Sequence, residues 1–173
     1  MIKKKLAGHF NKNELVKLIK DDEKLFDETL KLAINQQKDN IGWRAAWILN
    51  QVIIKNDDRI VSYASQIIEI IEEKEDGHQR ELLKIIEKIS LDEKWEAKLL
   101  QLSIGIWKQV GKSPSVRIVA WRIILKIVEK YPELQTEIAV LSDDCYAESL
   151  SPGIRSSFFK LRKKLKIPEN QNR

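Results

Sequence analysis

Arginine and tryptophan are the residues in this chain whose type and spacing point to chemistry. Arg44, Arg80, Arg117 and Arg155 recur at steps of 36, 37 and 38 residues. A guanidinium presents planar, paired donors that match a carboxylate or a phosphate. Read at i, i+4 and i+7 from each arginine, the chain gives Arg44, Ile48, Gln51; then Arg80, Lys84, Glu87; then Arg117, Trp121, Ile124; then Arg155, Phe159, Arg162. On helices these positions share a face. Placed side by side they form a row that mixes cations with large aromatics, suited to a peptide, an acidic helix or a nucleic-acid strand. The competing reading is structural: a buried arginine is normally paired, and here it would tie neighbouring helices together. For the four arginines the structural reading carries more weight.

Other reactive residue types form no constellation. His9 and His78 stand apart, in neither a His-Glu pair nor an HxxxH array, so no metal site is expected. Cys145 lies beside Asp143, Asp144 and Glu148, and acidic neighbours raise a thiol's pKa, which disfavours a nucleophile. Gly105 and Gly111 are isolated, so no glycine-rich phosphate loop exists. The pairs Asp57-Asp58 and Asp143-Asp144 sit at expected helix starts, where they complement the helix dipole. No catalytic residue and no cofactor is assigned.

The elements that would position the arginines follow from the pattern around them. Each arginine lies four residues after a capping type: Asn40, Asp76, Ser113 and Ser151. Ser113-Pro114 and Ser151-Pro152 put a proline at the first helical position, where its missing N–H costs nothing. Asp76 with Gln79 resembles a capping box. The intervening stretches carry helical stripes: Leu25, Phe26, Thr29, Leu30, Ala33; then Ile60, Ala64, Ile67, Ile68, Ile71; then Trp95, Leu99, Leu102, Ile106; and a shorter one, Leu134, Ile138, Leu141. Brief connections make consecutive helices antiparallel neighbours. The spacing predicts about four helix pairs, over 21–55, 57–90, 91–131 and 132–166. A basic segment, 1–12, and a capping helix, 13–20, precede them, and a flexible tail, 167–173, follows. A period in this range is that of stacked repeats, in which each unit buries its apolar stripe against the next.

The segment Ser113-Pro114-Ser115-Val116-Arg117-Ile118-Val119-Ala120 resembles the second-helix signature of HEAT repeats, a valine–arginine pair with a small residue three positions on. Ile154-Arg155 is a fair copy, while Trp43-Arg44 and Gln79-Arg80 depart from it. The resemblance covers residues 21 to about 166 and implies an all-α, right-handed α-solenoid forming a single repeat domain over 1–173. HEAT-like proteins are mostly binding scaffolds whose second helices line the concave side. The resemblance therefore implies a non-enzymatic scaffold that binds a protein or peptide through that row. HEAT-like DNA alkylation-repair glycosylases share the architecture, which implies the alternative of a DNA-binding protein, with or without catalytic activity. No acid in this chain matches that family's catalytic position.

The tryptophans divide between core and surface. Trp43 and Trp47 lie four apart on one face, which Asn50 and Ile54 continue. Trp47 aligns with apolar residues in the other repeats and is expected to pack, whereas Trp43 is open to either environment. Trp95 and Trp107 are expected to pack. Trp121, four residues after Arg117, is the best candidate for an exposed aromatic. The candidate partner-binding residues are thus Trp43, Arg44, Arg80, Lys84, Arg117, Trp121, Arg155 and Phe159. A second candidate surface is the basic C-terminal patch of Lys160, Arg162, Lys163, Lys164 and Lys166, set on an amphipathic helix with Ile154, Phe158, Leu161 and Leu165.

Charge weighs against a continuous nucleic-acid groove. The net charge is +5, but residues 1–12 carry +4 and residues 155–173 carry +6, leaving −5 between them. An acidic middle repels phosphate. No apolar run reaches the ~18–20 residues of a membrane span, and no secretory h-region follows the basic start. With a single cysteine, these features point to a cytoplasmic protein.

Overall fold

Helix propensity and scarce glycine and proline are realised as an all-helical chain. The computed structural model describes residues 2–36 and 40–164; the tail 167–173 lies outside them, and among the described residues none is in a strand. The chain divides into two compact units, the first ending at Trp95 and the second beginning at Glu96.

The first unit contains α1 (Ile2–Ala7), α2 (Lys12–Asp21), α3 (Glu23–Ala33), α4 (Asn40–Val52), α5 (Asp58–Val61), α6 (Ala64–Ile70) and α7 (Asp76–Glu87). Side-chain caps start several of them by satisfying orphan N–H groups. Asn11 Oδ1 accepts from Asn13 N at 3.0 Å and Glu14 N at 3.3 Å, and Asp22 Oδ1 accepts from Leu25 N at 3.0 Å. The α3 stripe is buried as expected, and Thr29 satisfies its hydroxyl by donating to Leu25 O at 2.6 Å. Within the basic N-terminal segment, Ile2 and Leu6 turn α1 into a packed helix.

Helix α4 is central to this unit, packing on α2, α3 and α7. Its buried residues include Gly42, Ala45 and Ala46, small enough for close approach. A Cβ at Gly42 would come within 2.9 Å of His78 Cε1 and 3.3 Å of Leu32 O. The first helix of the second repeat is not continuous. It is broken into α5, α6 and a 3₁₀ turn, Ile71–Glu73. Its isoleucines are nevertheless buried: Ile60, Ile67, Ile68 and Ile71.

The second unit is built on α8 (Glu93–Lys108), whose first turn holds the unit boundary, α9 (Pro114–Lys130), α10 (Gln135–Ala139) and α11 (Pro152–Lys164). Single 3₁₀ turns at Pro132–Leu134, Val140–Ser142 and Asp144–Tyr146 flank α10, so a string of short turns stands where one helix was expected. Its core joins Trp107, Trp121, Ile124, Leu125, Val128, Ile138, Leu141, Ala147, Leu150 and Phe158. Trp107 lies 4.9 Å from Trp121 and 5.2 Å from Phe158 between ring centroids, in the range where aromatic contacts add to area burial.

The expected caps are only partly found. Ser113 and Ser151 do precede helices that open on Pro114 and Pro152. Asn40 and Asp76 are instead first residues of their helices. The side-chain amide of Gln79 reaches back to Ile71 O at 3.0 Å.

Candidate functional site

The four arginines do not share one role. Arg117 is fully buried in the second unit, and its guanidinium is consumed by construction. Nε donates to Trp107 O at 3.0 Å, Nη1 to Ser149 Oγ at 2.6 Å and Nη2 to Tyr146 O at 2.7 Å. Its Cζ also lies 4.7 Å from the centroid of the Trp107 ring, a cation–π contact. Burial pushes its pKa down from the usual arginine value. Arg155 is similar but exposed: Nε donates to Ala147 O at 3.0 Å, and Nη2 donates to Glu148 O. Both arginines hold backbone carbonyls: Arg117 one before its helix and one after it, Arg155 two in the segment just before α11.

In the first unit other residues hold the corresponding carbonyls. Gln79 takes Ile71 O, His78 Nε2 lies 2.8 Å from Ala33 O, and Lys74 Nζ donates to Asn35 O. A carbonyl can only accept, so His78 carries its proton on Nε2. Arg44 is directed to the end of α1, with Nη1 at 2.7 Å from Leu6 O and 3.3 Å from Gly8 O. Arg80 is directed to Glu81: Nε lies 2.8 Å and Nη2 2.7 Å from Glu81 Oε1.

Glu81 is the unexpected member. Its carboxylate side chain is only 1% exposed, while Arg80 and Lys84 beside it are half-exposed. It is held by Arg80, by Asn50 Nδ2 at 3.0 Å and by Lys84 Nζ at 3.3 and 3.4 Å. Asn50 Nδ2 also donates to Glu81 O at 2.9 Å, joining α4 to α7. Lys88 closes the lower end of this junction, donating to Asn50 O at 2.8 Å and Ile53 O at 3.1 Å at the C-terminus of α4. Burial pushes Lys88's pKa down, and Lys84 nearby adds to the effect. The other arm of the junction is Asn56, with φ 54°, whose N–H donates to Lys88 O at 2.9 Å. Asparagine tolerates that left-handed backbone better than most residues.

On the other side of α4, Trp47 is half-buried and Lys12 Nζ stands 5.6 Å from its ring centroid. Trp43, one turn earlier, borders Gly77 of α7, where an added Cβ would lie 3.5 Å from Trp43 Nε1. Two buried polar atoms of α4, Trp43 Nε1 and Asn50 Oδ1, have no hydrogen-bond partner among the described residues. Such orphans are rare in native interiors. Nearby, Lys5, His9, Phe10, Asn11, Glu14, Leu15 and Leu18 line a cleft of about 170 Å³ beside α2.

A match to the family model described as a HEAT repeat domain spans residues 2–165. The chain belongs to the HEAT repeat family. No curated protein and no solved structure matches it.

Within this HEAT repeat protein the sequence-derived row separates into open and closed parts. Arg80, Lys84 and Glu87 remain half-exposed on α7. The equivalent Arg117, Trp121 and Ile124 of α9 are all 0% exposed. Trp121 is therefore not the exposed aromatic expected, and neither it nor Arg117 can touch a partner in this state. The reason is that α9 buries residues on nearly every face, from Val116 to Val128. A helix apolar all round is a buried helix, a signal already present in the run Ile118 to Val128. Phe159 is half-buried, its ring 5.2 Å from Phe158.

In the C-terminal patch Lys160 and Lys163 are exposed, and Arg162 Nη1 lies 3.3 Å from Asp144 Oδ1. Lys166 and the side chain of Lys164 lie outside the described residues. Trp107 packs as expected, donating Nε1 to Leu141 O at 2.8 Å, while Trp95 is half-buried. Cys145 is exposed, and its hydrogen bond with Asp143 raises the thiol's pKa, with burial and the neighbouring acids adding to it. Sequence reasoning missed Glu81, Lys12 and Lys88; a glutamate between Arg80 and Leu82 has no pattern that marks it as buried.

Among the described residues, no helix is long and apolar enough to cross a membrane, and no group of three His, Cys, Asp or Glu side chains could hold a metal ion.

Proposed function

We propose that this protein is a non-enzymatic HEAT-like scaffold that binds a protein or peptide partner through its second helices, with α4 and α7 supplying the recognition face. HEAT repeats commonly mediate protein interactions. The observation that carries the reading is that Arg80 and Lys84 of α7 stay half-exposed while a buried carboxylate fixes them both, with Trp47 of α4 half-exposed as well. Aromatic and arginine side chains held in place beforehand are the usual anchors of an interface, because little side-chain entropy remains to be lost. Trp43 and Arg44, also on α4, belong to the proposed face, and Arg155 and Phe159 of α11 are further proposed contact residues. On this reading residues 21–166 form a right-handed stack of about four antiparallel helix pairs within one domain, working in the cytoplasm.

The test is recovery of native partners from cell extract by wild type and by the pair of substitutions Trp47→Ala and Lys84→Ala, with helicity checked by circular dichroism. Loss of the recovered partner with helicity unchanged supports the proposal. Undiminished recovery removes this face as the site. Tight, strongly salt-dependent retention of a DNA duplex, in place of a protein, would favour the alkylation-repair likeness instead.

A further inference from the structure

We infer that the cleft between α1 and α2 binds a free α-amino acid with an apolar side chain. The site does not depend on the scaffold reading above, because none of its residues belongs to the arginine row.

Three kinds of wall meet in this cleft, all within the first unit. Phe10 of the link and Leu15 and Leu18 of α2 supply an apolar one, and Leu18 is 44% exposed. Lys5 of α1 supplies an ammonium, and His9 adds a ring nitrogen. Glu14 of α2 supplies a carboxylate. Lys5, His9 and Glu14 are all exposed. Among the described residues their side chains make no hydrogen bond and no ion pair. Lys5 and Glu14 thus line one cleft without pairing with each other. Asn11 also lines it, but its side chain is already engaged, accepting from Asn13 N and Glu14 N. The start of α2 is therefore capped from within and offers no anion site of its own.

Simpler ligands each fail at one wall. A bare anion would face Glu14, and a bare cation would face Lys5. A purely apolar group would cover both charges without satisfying either, which costs free energy. An apolar amino acid carries all three complements: a carboxylate for Lys5 and His9, an ammonium for Glu14, and a side chain for Phe10, Leu15 and Leu18. Its two charges are borne by one carbon, so they fit between protein groups that flank a space without touching. Size agrees. The cleft holds about 170 Å³, below the ~300–1,000 Å³ of a pocket for a drug-sized molecule, which suits a ligand of one residue.

The experiment is an amide-resolved NMR titration of the full chain with leucine, leucine amide, N-acetyl-leucine and glycine. Leucine should shift amides between residues 5 and 18, with a dissociation constant on the order of 1 mM, since ion pairs at an exposed site gain little. Leucine amide lacks the carboxylate, N-acetyl-leucine the ammonium and glycine the side chain, and each should bind about ten-fold more weakly. Lys5→Gln should weaken leucine about ten-fold yet leave leucine amide unchanged, and Glu14→Gln should do the same for leucine and N-acetyl-leucine, because each substitution removes a group that the analogue no longer meets. No shift of these amides at about ten times that concentration would overturn the inference. Leucine amide bound as tightly as leucine would assign the cleft to a peptide N-terminus and overturn it too. So would N-acetyl-leucine or glycine bound as tightly, or substitutions that weaken leucine and its analogues alike.

Discussion

Helices α7 and α9 carry arginine at the same phase of the repeat, and the two arginines meet opposite fates. On α9 the arginine row lies in the core of its unit, and Arg117 serves as a buried tie between Trp107, Tyr146 and Ser149. On α7 the tying role has passed to Gln79, next to the arginine, and Arg80 remains at the surface against Glu81. An equivalent position in a repeat thus keeps its place but not its partners. What decides the partners is whether a neighbouring residue already satisfies the carbonyls that an arginine would otherwise hold. A carbonyl left buried and unpaired costs ~1–3 kcal/mol, so some donor must reach each one. Once another donor does so, the arginine can take a different partner, as Arg80 does with Glu81.

Substitutions at five positions probe this contrast. The largest effect is expected at Trp121, which is 0% exposed among aromatic neighbours. Trp121→Ala should destabilise by about 3–5 kcal/mol, whereas Trp47→Ala, at a half-buried site, should cost about 1 kcal/mol; urea unfolding measures both. Next is Gly42→Ala, where the added Cβ would sit 2.9 Å from His78 Cε1 and 3.3 Å from a backbone oxygen. Forcing those groups apart should cost about 1–3 kcal/mol, read as a lowered unfolding midpoint.

Asp57 caps α5 and accepts from Arg59 Nε at 2.9 Å and Nη2 at 2.8 Å. Asp57→Ala should cost about 1 kcal/mol. The Arg59 hydrogen bonds hold the Asp57 carboxyl below its ordinary value. A carboxyl depressed in the folded state favours folding above its unfolded pKa of about 3.9, and that contribution disappears as pH falls through the lowered value. Asp57→Asn should therefore show a shallower loss of stability with acid than wild type, measured by unfolding at a series of pH values. The smallest effect is at Gly105, within α8 of the second unit, where an added Cβ meets nothing within 4 Å. Gly105→Ala should stabilise by about 0.5–1 kcal/mol, opposite in sign to Gly42→Ala.

Much of the architecture was legible because it rests on local signals. Proline after serine marked the starts of α9 and α11, and the α3 stripe from Leu25 to Ala33 marked a buried face that the structure contains. The broken helices at 58–73 and 132–146 were less legible. Their apolar residues keep a helical spacing through the breaks, so periodicity alone does not reveal them. The candidate site was legible only in outline. Arg80 and Lys84 announced themselves by their place in the row, and Trp47 by its pairing with Trp43. Trp121 was not legible from its spacing to Arg117, because apolar residues on nearly every face of α9 bury it. Glu81 was hidden, since its burial depends on Asn50, thirty-one positions away, and no local pattern encodes that meeting.

The four arginines of one sequence period make different contacts, and urea unfolding of the four single arginine-to-alanine variants shows whether they differ in what they stabilise. Arg117→Ala should lose about 3 kcal/mol or more, since it strips donors from three groups at once. Arg44→Ala and Arg155→Ala should each lose about 1 kcal/mol, with Arg80→Ala between, because Glu81 keeps Lys84 and Asn50 as partners. Four equal losses would contradict the claim and return every arginine to a single structural role.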